Sequence, residues 1–146
     1  MTTAIPFGTR LIGQTEKTLN AILDRLLSGS GVTEHQWVAL TVTLQQGATP
    51  AAAAAQRIAT TLQLPLEAGA EVLTSLIESG FAEIADADTV AASTAGQEFH
   101  ERIHQQISQV TARLWGDIPA DERDTAAAVL NTTLQRATAE LAALTP

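Results

Sequence analysis

Apolar residues recur at every third or fourth position through most of the chain, which is the pattern of amphipathic helices. The first such segment runs from Phe7 to about Leu27 and ends in a Ser-Gly-Ser-Gly stretch. A second segment is predicted to begin after Thr33, whose hydroxyl suits an N-cap, and to run through Gln45 with Gly47 closing it. The first third of the chain is therefore predicted to form two helices.

Two short helices joined by a tight turn are predicted next. Thr49 and Pro50 indicate a helix start, a capping hydroxyl followed by proline at the first helical position, and the helix continues to Leu62. After a Gln-Leu-Pro break, residues 66–79 carry another helical stripe, with Gly80 as a left-handed C-cap. This arrangement is a helix-turn-helix.

A short β-hairpin and two long helices complete the predicted elements. Thr94 is expected to cap a helix that extends to Trp115, and the last helix runs from about Ala120 to Leu144. The hairpin is indicated by Phe81, Ala82 and Ile84, the turn Asp86-Ala87-Asp88, and Val90. The fold class is therefore mainly α, a winged helix-turn-helix with long terminal helices.

The two late helices carry apolar residues at alternating spacings of four and three, which mark a helix-helix seam. An intramolecular bundle and a homodimer both satisfy this periodicity. Long terminal helices beside a compact helix-turn-helix have few partners within one chain, so we predict a homodimer with these helices as its dimerisation bundle. The seam positions are Ile103, Ile107, Val110 and Leu114 on one helix, and Leu130, Leu134, Ala137, Leu141 and Leu144 on the other.

The composition narrows the range of functions. A chain of 146 residues has the size of one domain and can bury a core without disulfides. It has no cysteine, which excludes a thiol nucleophile and a thiolate zinc site. The N-terminal residues do not resemble a leader, and no apolar run approaches the roughly 20 residues that span a bilayer, so a cytoplasmic location is expected.

Charge is distributed unevenly along the chain. The formal net charge is −8, and the stretch from Ile58 to Glu101 contains neither lysine nor arginine. The other residues are neutral overall, so this stretch accounts for the entire net charge. Its eight acids are Glu67, Glu71, Glu78, Glu83, Asp86, Asp88, Glu98 and Glu101.

Three short motifs, in this order of elements, resemble the MarR family of transcription regulators. Residues 32–40 (VTEHQWVAL) are similar to its threonine-capped second helix, residues 76–81 (LIESGF) to the end of its recognition helix, and residues 93–96 (STAG) to the start of its long fifth helix. The resemblance implies a single domain over residues 1–146. Its winged helix-turn-helix part would be residues 32–93, and its helical dimerisation part residues 1–31 and 94–146.

The resemblance also implies binding to duplex DNA as a homodimer, with one recognition helix per subunit in the major groove and a basic wing beside it. Here the wing is short, lacks the family's Asp-Arg-Arg-like motif, and carries acids at its tip. Phosphate neutralisation by basic groups supplies much of DNA affinity. An alternative is therefore a winged-helix interaction module that has lost DNA binding and offers its acidic face to a protein. The DNA-binding candidates are Arg57, Ala70, Glu71, Thr74 and Ser75.

Trp37 and Trp115 are candidates for the border of a cavity between the bundle and the winged helix, where the resemblance implies a small apolar or phenolic effector. His35 lies two positions from Trp37 and is included in this ligand pocket. Ordinary core packing of the two indoles is the other interpretation.

His100, Glu101 and His104 match the H-E-x-x-H pattern of zinc proteases. The match is only five residues long, and no histidine follows it in the chain to complete a ligand set. A zinc-responsive regulator, with His35 supplying a third nitrogen ligand, is a minor alternative. The other interpretation is that these histidines are simply exposed to solvent on a helix and bind no metal. We therefore expect no enzymatic activity, no cofactor and no catalytic metal.

Overall fold

The computed structural model describes residues 3–144, so the predicted domain limits at residues 1 and 146 lie outside the described residues. The chain forms two compact units, of which the first ends at Ile107 and the second begins at Ser108. Helices predominate, and their order is the predicted one. The elements are α1 (Thr9–Leu27), α2 (Glu34–Gln46), β1 (Thr49–Pro50), α3 (Ala51–Leu62), α4 (Leu66–Glu78), β2 (Ala82–Asp86), β3 (Thr89–Ala92), α5 (Thr94–Trp115) and α6 (Ala120–Ala143).

The N-cap predicted at Thr33 is confirmed. Its hydroxyl accepts a hydrogen bond from the Gln36 N–H at 3.2 Å, and the Gln36 side-chain oxygen accepts one from the Thr33 N–H at 3.0 Å. This reciprocal pair is a capping box, which satisfies two backbone donors that a helix start otherwise leaves free. At the end of α4, Gly80 takes a φ of 87°, as its predicted role requires.

Two predicted caps are wrong. Thr49 belongs to β1 and pairs with Val90, so its backbone is extended and its hydroxyl does not cap α3. Instead, the first N–H of α3, at Ala51, donates to the carbonyl of Asp88 at 2.7 Å. Strand pairing has therefore displaced the local capping signal.

The cap of α5 is Ser93 rather than Thr94. The Ser93 hydroxyl accepts from the Gly96 N–H at 3.0 Å and donates to the Gly80 carbonyl at 2.5 Å. Ser93 is buried between α4 and α5, whereas Thr94 is exposed. The hydroxyl that reaches two backbone groups is thus the one that long-range packing holds in place.

The three strands form one antiparallel sheet in the order β1-β3-β2. The predicted hairpin is β2 and β3, with a register shift between Ile84 and Asp86 and a positive φ of 46° at Ala87 in the turn. The two-residue β1 adds a third strand that the apolar pattern did not predict.

The core of the first unit lies between α2, α3, α4 and the sheet. α4 approaches α3 closely because Gly69 has no side chain: a Cβ there would lie 2.7 Å from the carbonyl oxygen of Ala55 and from the Cβ of Ala59. Ile103, predicted as a seam position, is buried in this core. The largest fully buried side chains are Leu40, Ile58, Leu76, Val90 and Thr43.

α6, in the second unit, buries no residue. Its seam leucines form an apolar ridge, defined here as Leu130, Leu134, Leu141 and Leu144, which are 48%, 64%, 57% and 71% exposed. No helix within residues 3–144 combines the length and hydropathy needed to cross a bilayer.

Candidate nucleic-acid interface and adjoining groove

α4 is the second helix of the helix-turn-helix and presents three of the five DNA-binding candidates to solvent. Ala70, Glu71 and Thr74 are exposed, and their spacing places them on neighbouring positions of one helical face. Arg57, on α3, is also exposed. These four residues are therefore accessible to a partner.

Ser75 is positioned differently from the other candidates. It is half-buried, and its hydroxyl donates to the Val72 carbonyl at 2.8 Å while accepting from the Gln36 side-chain amide at 3.2 Å. The hydroxyl proton is committed within α4, so Ser75 fixes α4 against α2 rather than offering a free donor.

The acidic stretch forms an exposed surface. All eight of its carboxylate side chains are exposed, and among residues 3–144 none of them forms an ion pair. Asp86 and Asp88 flank the tip of the β2–β3 hairpin, which is the wing, and Ile84 is 53% exposed beside them. The surface around α4 and the wing is thus negative, and Arg57 is the single basic residue of the helix-turn-helix.

A groove of about 390 Å³ lies between α2 and α5. The Trp37 indole and the His100 imidazole stack in parallel there, with 4.5 Å between ring centroids and 6° between planes. His104, one helical turn further, stacks on His100 at 5.8 Å and 12°. The lining residues are Trp37, Thr41, Leu44, Gln45, His100, His104 and Ile107.

Thr41 connects the His100 ring to α2. Its hydroxyl lies 3.0 Å from the Trp37 carbonyl oxygen, to which it donates, and 3.2 Å from Nε2 of His100. When the hydroxyl proton is donated to the Trp37 carbonyl, the Thr41 oxygen accepts from Nε2 of His100, and the neutral ring then carries its hydrogen on Nε2. Burial lowers the pKa of His100, His104 lowers it further by charge repulsion, and Glu101 opposes the shift.

The predicted ligand-pocket residues are only partly brought together. Trp37 lines the groove, His35 is exposed and is not among the lining residues, and Trp115 lies in the second unit, 43% exposed. His100 and Thr41 were missed as lining residues. A signal existed, because Trp37 and Thr41 on one helix, and His100 and His104 on another, each have the i, i+4 spacing of a shared face.

The H-E-x-x-H pattern does not lie in a cluster of metal-binding side chains. Within residues 3–144, no group of three or more His, Cys, Asp or Glu residues is arranged to hold a metal ion. One of the two imidazoles, that of His100, is already stacked on Trp37 and bonded to Thr41.

No family model matches the chain, and no curated protein matches its sequence. Solved structures do match. The reduced form of MarR from E. coli is 25% identical with a TM-score of 0.67, and the match covers 90% of this chain and 96% of that one. A MarR family transcriptional regulator from Silicibacter pomeroyi DSS is 20% identical with a TM-score of 0.74, covering 88% of each chain.

A third match is a mutant of E. coli MarR complexed with operator DNA. It is 23% identical with a TM-score of 0.68, and the match covers 86% of this chain and 91% of that one. The similarity thus extends over most of each molecule. The chain is therefore a MarR-like winged-helix protein, with the fold of that group of transcriptional regulators.

Proposed function

We propose that this chain is a MarR-like transcriptional regulator that binds duplex DNA as a homodimer. The observation that carries the proposal is the similarity in fold to MarR structures over about nine-tenths of the chain, including one complexed with operator DNA. The proposal includes a regulatory role rather than catalysis, and a location in the cytoplasm.

In this proposal α4 enters the major groove and reads bases with few charges. An exposed carboxylate such as Glu71 accepts from the cytosine amino group, a hydroxyl such as Thr74 bonds to either kind of edge, and the Ala70 methyl fits against a thymine methyl. Arg57 supplies one phosphate contact per subunit. Affinity would therefore depend on base contacts more than is usual for DNA-binding proteins.

The apolar ridge of α6 supports the homodimer. Fully burying a leucine side chain contributes about 1.5–3 kcal/mol, so a ridge of four leucines left in water is costly unless a partner covers it. A second copy offers the same ridge, which is the self-complementary contact of a twofold dimer.

In this proposal a small apolar effector binds in the α2–α5 groove beside Trp37. The zinc-responsive alternative has less support, since its histidines are not joined by a third ligand in the described part of the chain.

The acidic surface favours a second candidate, a winged-helix interaction module that has lost DNA binding. Eight exposed carboxylates without a compensating cation repel phosphates and attract a basic partner. A carboxylate close to a phosphate costs on the order of 1 kcal/mol even at water-like dielectric. The two candidates differ in whether duplex DNA binds at all.

A charge reversal on α4 separates them. Glu71→Lys replaces a carboxylate that repels DNA phosphates with an ammonium group that attracts them. The affinity of the variant for random duplex DNA should therefore rise. The plot of log affinity against log salt should also steepen by about one unit per subunit. Asp24→Lys makes the same charge change on the exposed surface of α1 and serves as the matched control. Fluorescence anisotropy with a labelled duplex measures both.

Equal effects of the two substitutions would mean that α4 does not face the DNA. A wild-type chain that fails to bind at the lowest salt would contradict the regulator and favour the interaction module.

A further inference from the structure

The side chain of Gln36 joins the start of α2 to α4. Its amide nitrogen donates to the Ser75 hydroxyl at 3.2 Å, and its amide oxygen accepts from the Thr33 N–H at 3.0 Å. A backbone N–H can only donate, so the amide oxygen faces Thr33 and the amide nitrogen is left to face α4. Both polar atoms of this half-buried side chain are therefore committed.

α4 is held at two points along its axis. Near its start, Gly69 lets α4 approach α3 closely, because a Cβ there would lie 2.7 Å from the Ala55 carbonyl oxygen. Ser75 lies about 9 Å further along the axis, at 1.5 Å per residue. The bond from Gln36 to Ser75 is the single side-chain hydrogen bond between α2 and α4 in residues 3–144. The contact at Gly69 sets how near α4 lies to α3, and the bond at Ser75 restrains the rotation of α4.

This restraint bears directly on the exposed face of α4. Around the helix axis, Glu71 and Thr74 lie about 40° and 100° from Ser75, at 100° per residue. A rotation of about 20° would move an atom at the outer radius of about 5 Å by nearly 2 Å. Hydrogen bonds to base edges need roughly 2.7–3.2 Å between donor and acceptor, so such a rotation breaks them. Apolar packing is non-directional, and the bond at Ser75 adds a directional restraint to it.

We propose that Gln36 is a positioning residue for base reading by α4. It acts through Ser75 rather than by contact with DNA, and it sets the rotation at which Glu71 and Thr74 face the base edges. This inference rests on the proposed function, since it concerns how α4 reads DNA. Loss of the bond should lower selectivity among sequences, whereas affinity for DNA in general depends on the phosphate contact of Arg57.

The experiment starts with the wild-type chain and a pool of duplexes with randomised base pairs. Bound duplexes are recovered and sequenced, and fluorescence anisotropy gives the affinities for the most enriched duplex and for random duplex. The ratio of these two affinities is the selectivity. Ser75→Ala removes the acceptor of the Gln36 amide and should lower the selectivity about tenfold, the order of one lost base contact. The affinity of this variant for random duplex should change by less than about twofold.

Ser79→Ala is the matched control. Ser79 is the C-cap of α4, and its hydroxyl donates to the Leu76 carbonyl at 2.9 Å, as that of Ser75 donates to the Val72 carbonyl at 2.8 Å. In the described part of the chain, Ser79 has no hydrogen bond to α2. Its replacement should therefore leave the selectivity unchanged, and an equal fall in the two serine variants would overturn the inference.

Changes at the start of α2 separate positioning from helix stability. Gln36→Met keeps an unbranched side chain without hydrogen bonds, so it should lower the selectivity as Ser75→Ala does, with no further fall when the two are combined. Gln36→Glu should restore the selectivity, because a carboxylate can accept from both the Thr33 N–H and the Ser75 hydroxyl. Thr33→Ala removes the capping hydroxyl but leaves the bond to Ser75. It should lower the free energy of unfolding in urea without changing the selectivity.

The contrary results are distinct. Equal selectivity in the wild type, Ser75→Ala and Gln36→Met would show that the bond does not position α4. A fall in Thr33→Ala as large as that in Gln36→Met would assign the effect to the stability of α2 and overturn the inference. So would a wild-type chain that binds random duplex but enriches no sequence. A wild-type chain that binds no duplex overturns the proposed function together with this inference, whereas the other results leave DNA binding standing.

Discussion

The winged-helix elements and α6 use their apolar residues in opposite ways. In the former, Leu40, Ile58 and Leu76 are completely buried against neighbours in the same chain. In α6, no residue is buried, although its leucines recur at helical spacing. The apolar side chains are thus buried by the same chain in the winged-helix elements and remain exposed in α6.

This difference shows what helical periodicity can and cannot predict. A stripe predicts that a face will be covered but does not name what covers it. α5 spans the two cases, because Ile103 is buried in the core of the first unit while Leu114, further along, is 37% exposed. The contrast predicts different consequences for substitutions in the two regions.

The largest effect is expected on the α6 ridge. Leu134→Glu with Leu141→Glu places two carboxylates per chain in the proposed dimer contact, and both copies repeat the defect. Burying charge without a partner is strongly unfavourable, so the dimer should dissociate or the chain should unfold. Analytical ultracentrifugation measures the mass, and circular dichroism measures the helix content.

The matched control lies on the other side of the same helix. Thr132→Glu with Ala139→Glu has the same spacing of seven residues but faces roughly away from the ridge, given 100° per residue. This variant should remain a dimer. If the ridge variant also stays dimeric and folded, the ridge does not form the contact.

The second effect concerns close packing in the winged-helix elements. Gly96→Ala would place a Cβ against the carbonyl oxygen of Phe81 and 3.2 Å from Leu40 Cδ1. The backbone at Phe81 cannot move aside as a flexible side chain can. The free energy of unfolding is therefore expected to fall by an amount near the upper end of about 1–3 kcal/mol. Urea denaturation gives this value.

Gly13→Ala is the comparison for that substitution. Gly13 is a helical glycine of α1 with no atom within 4 Å of its added Cβ, so the change should stabilise the chain by about 0.5–1 kcal/mol. Equal effects at Gly96 and Gly13 would contradict the packing described for α5.

A smaller effect is expected at the cap of α5. Ser93→Ala removes the hydroxyl that accepts from the Gly96 N–H and leaves that buried N–H without this acceptor. The free energy of unfolding should fall by about 0.5–2 kcal/mol. Thr94→Ala should change the unfolding free energy by no more than about 0.5 kcal/mol, because Thr94 is exposed. A larger loss for Thr94→Ala than for Ser93→Ala would indicate that Thr94, as the sequence predicted, caps α5 and that Ser93 does not.

The smallest effect is a dependence of stability on pH. The pKa of His100 is lowered from its ordinary 6.5 by burial and by His104, so the unfolded chain binds the proton more readily. Stability should therefore fall as pH drops below 6.5 towards the lowered pKa, with no contribution from this group above that range. The free energy of unfolding, measured by urea denaturation, should be lower at acidic pH than at pH 7.5, and His100→Gln should reduce this difference. An equal difference in the wild type and in His100→Gln would contradict the role of His100.

Much of the fold could be predicted because its signals are local. The C-terminal ends of α3 at Leu62 and of α5 at Trp115 and the left-handed Gly80 follow from apolar spacing and terminal residue types. The errors occurred where distant contacts decide, since Thr49 is drawn into a strand by Val90, 41 residues later. A two-residue strand has too few positions to show an alternating pattern.

The candidate site divides in the same way. The exposure of Arg57, Glu71 and Thr74 could be predicted, because the inward face of each helix was already defined. The bond between Thr41 and His100 could not, since it joins residues 59 positions apart through the packing of two helices.

The salt dependence of wild-type binding to random duplex DNA tests the central claim most directly. One Arg57 contact per subunit predicts measurable binding at low salt, with a slope of only about −2 for the dimer in a plot of log affinity against log salt concentration. Binding that is absent even at the lowest salt would contradict the assignment as a DNA-binding regulator.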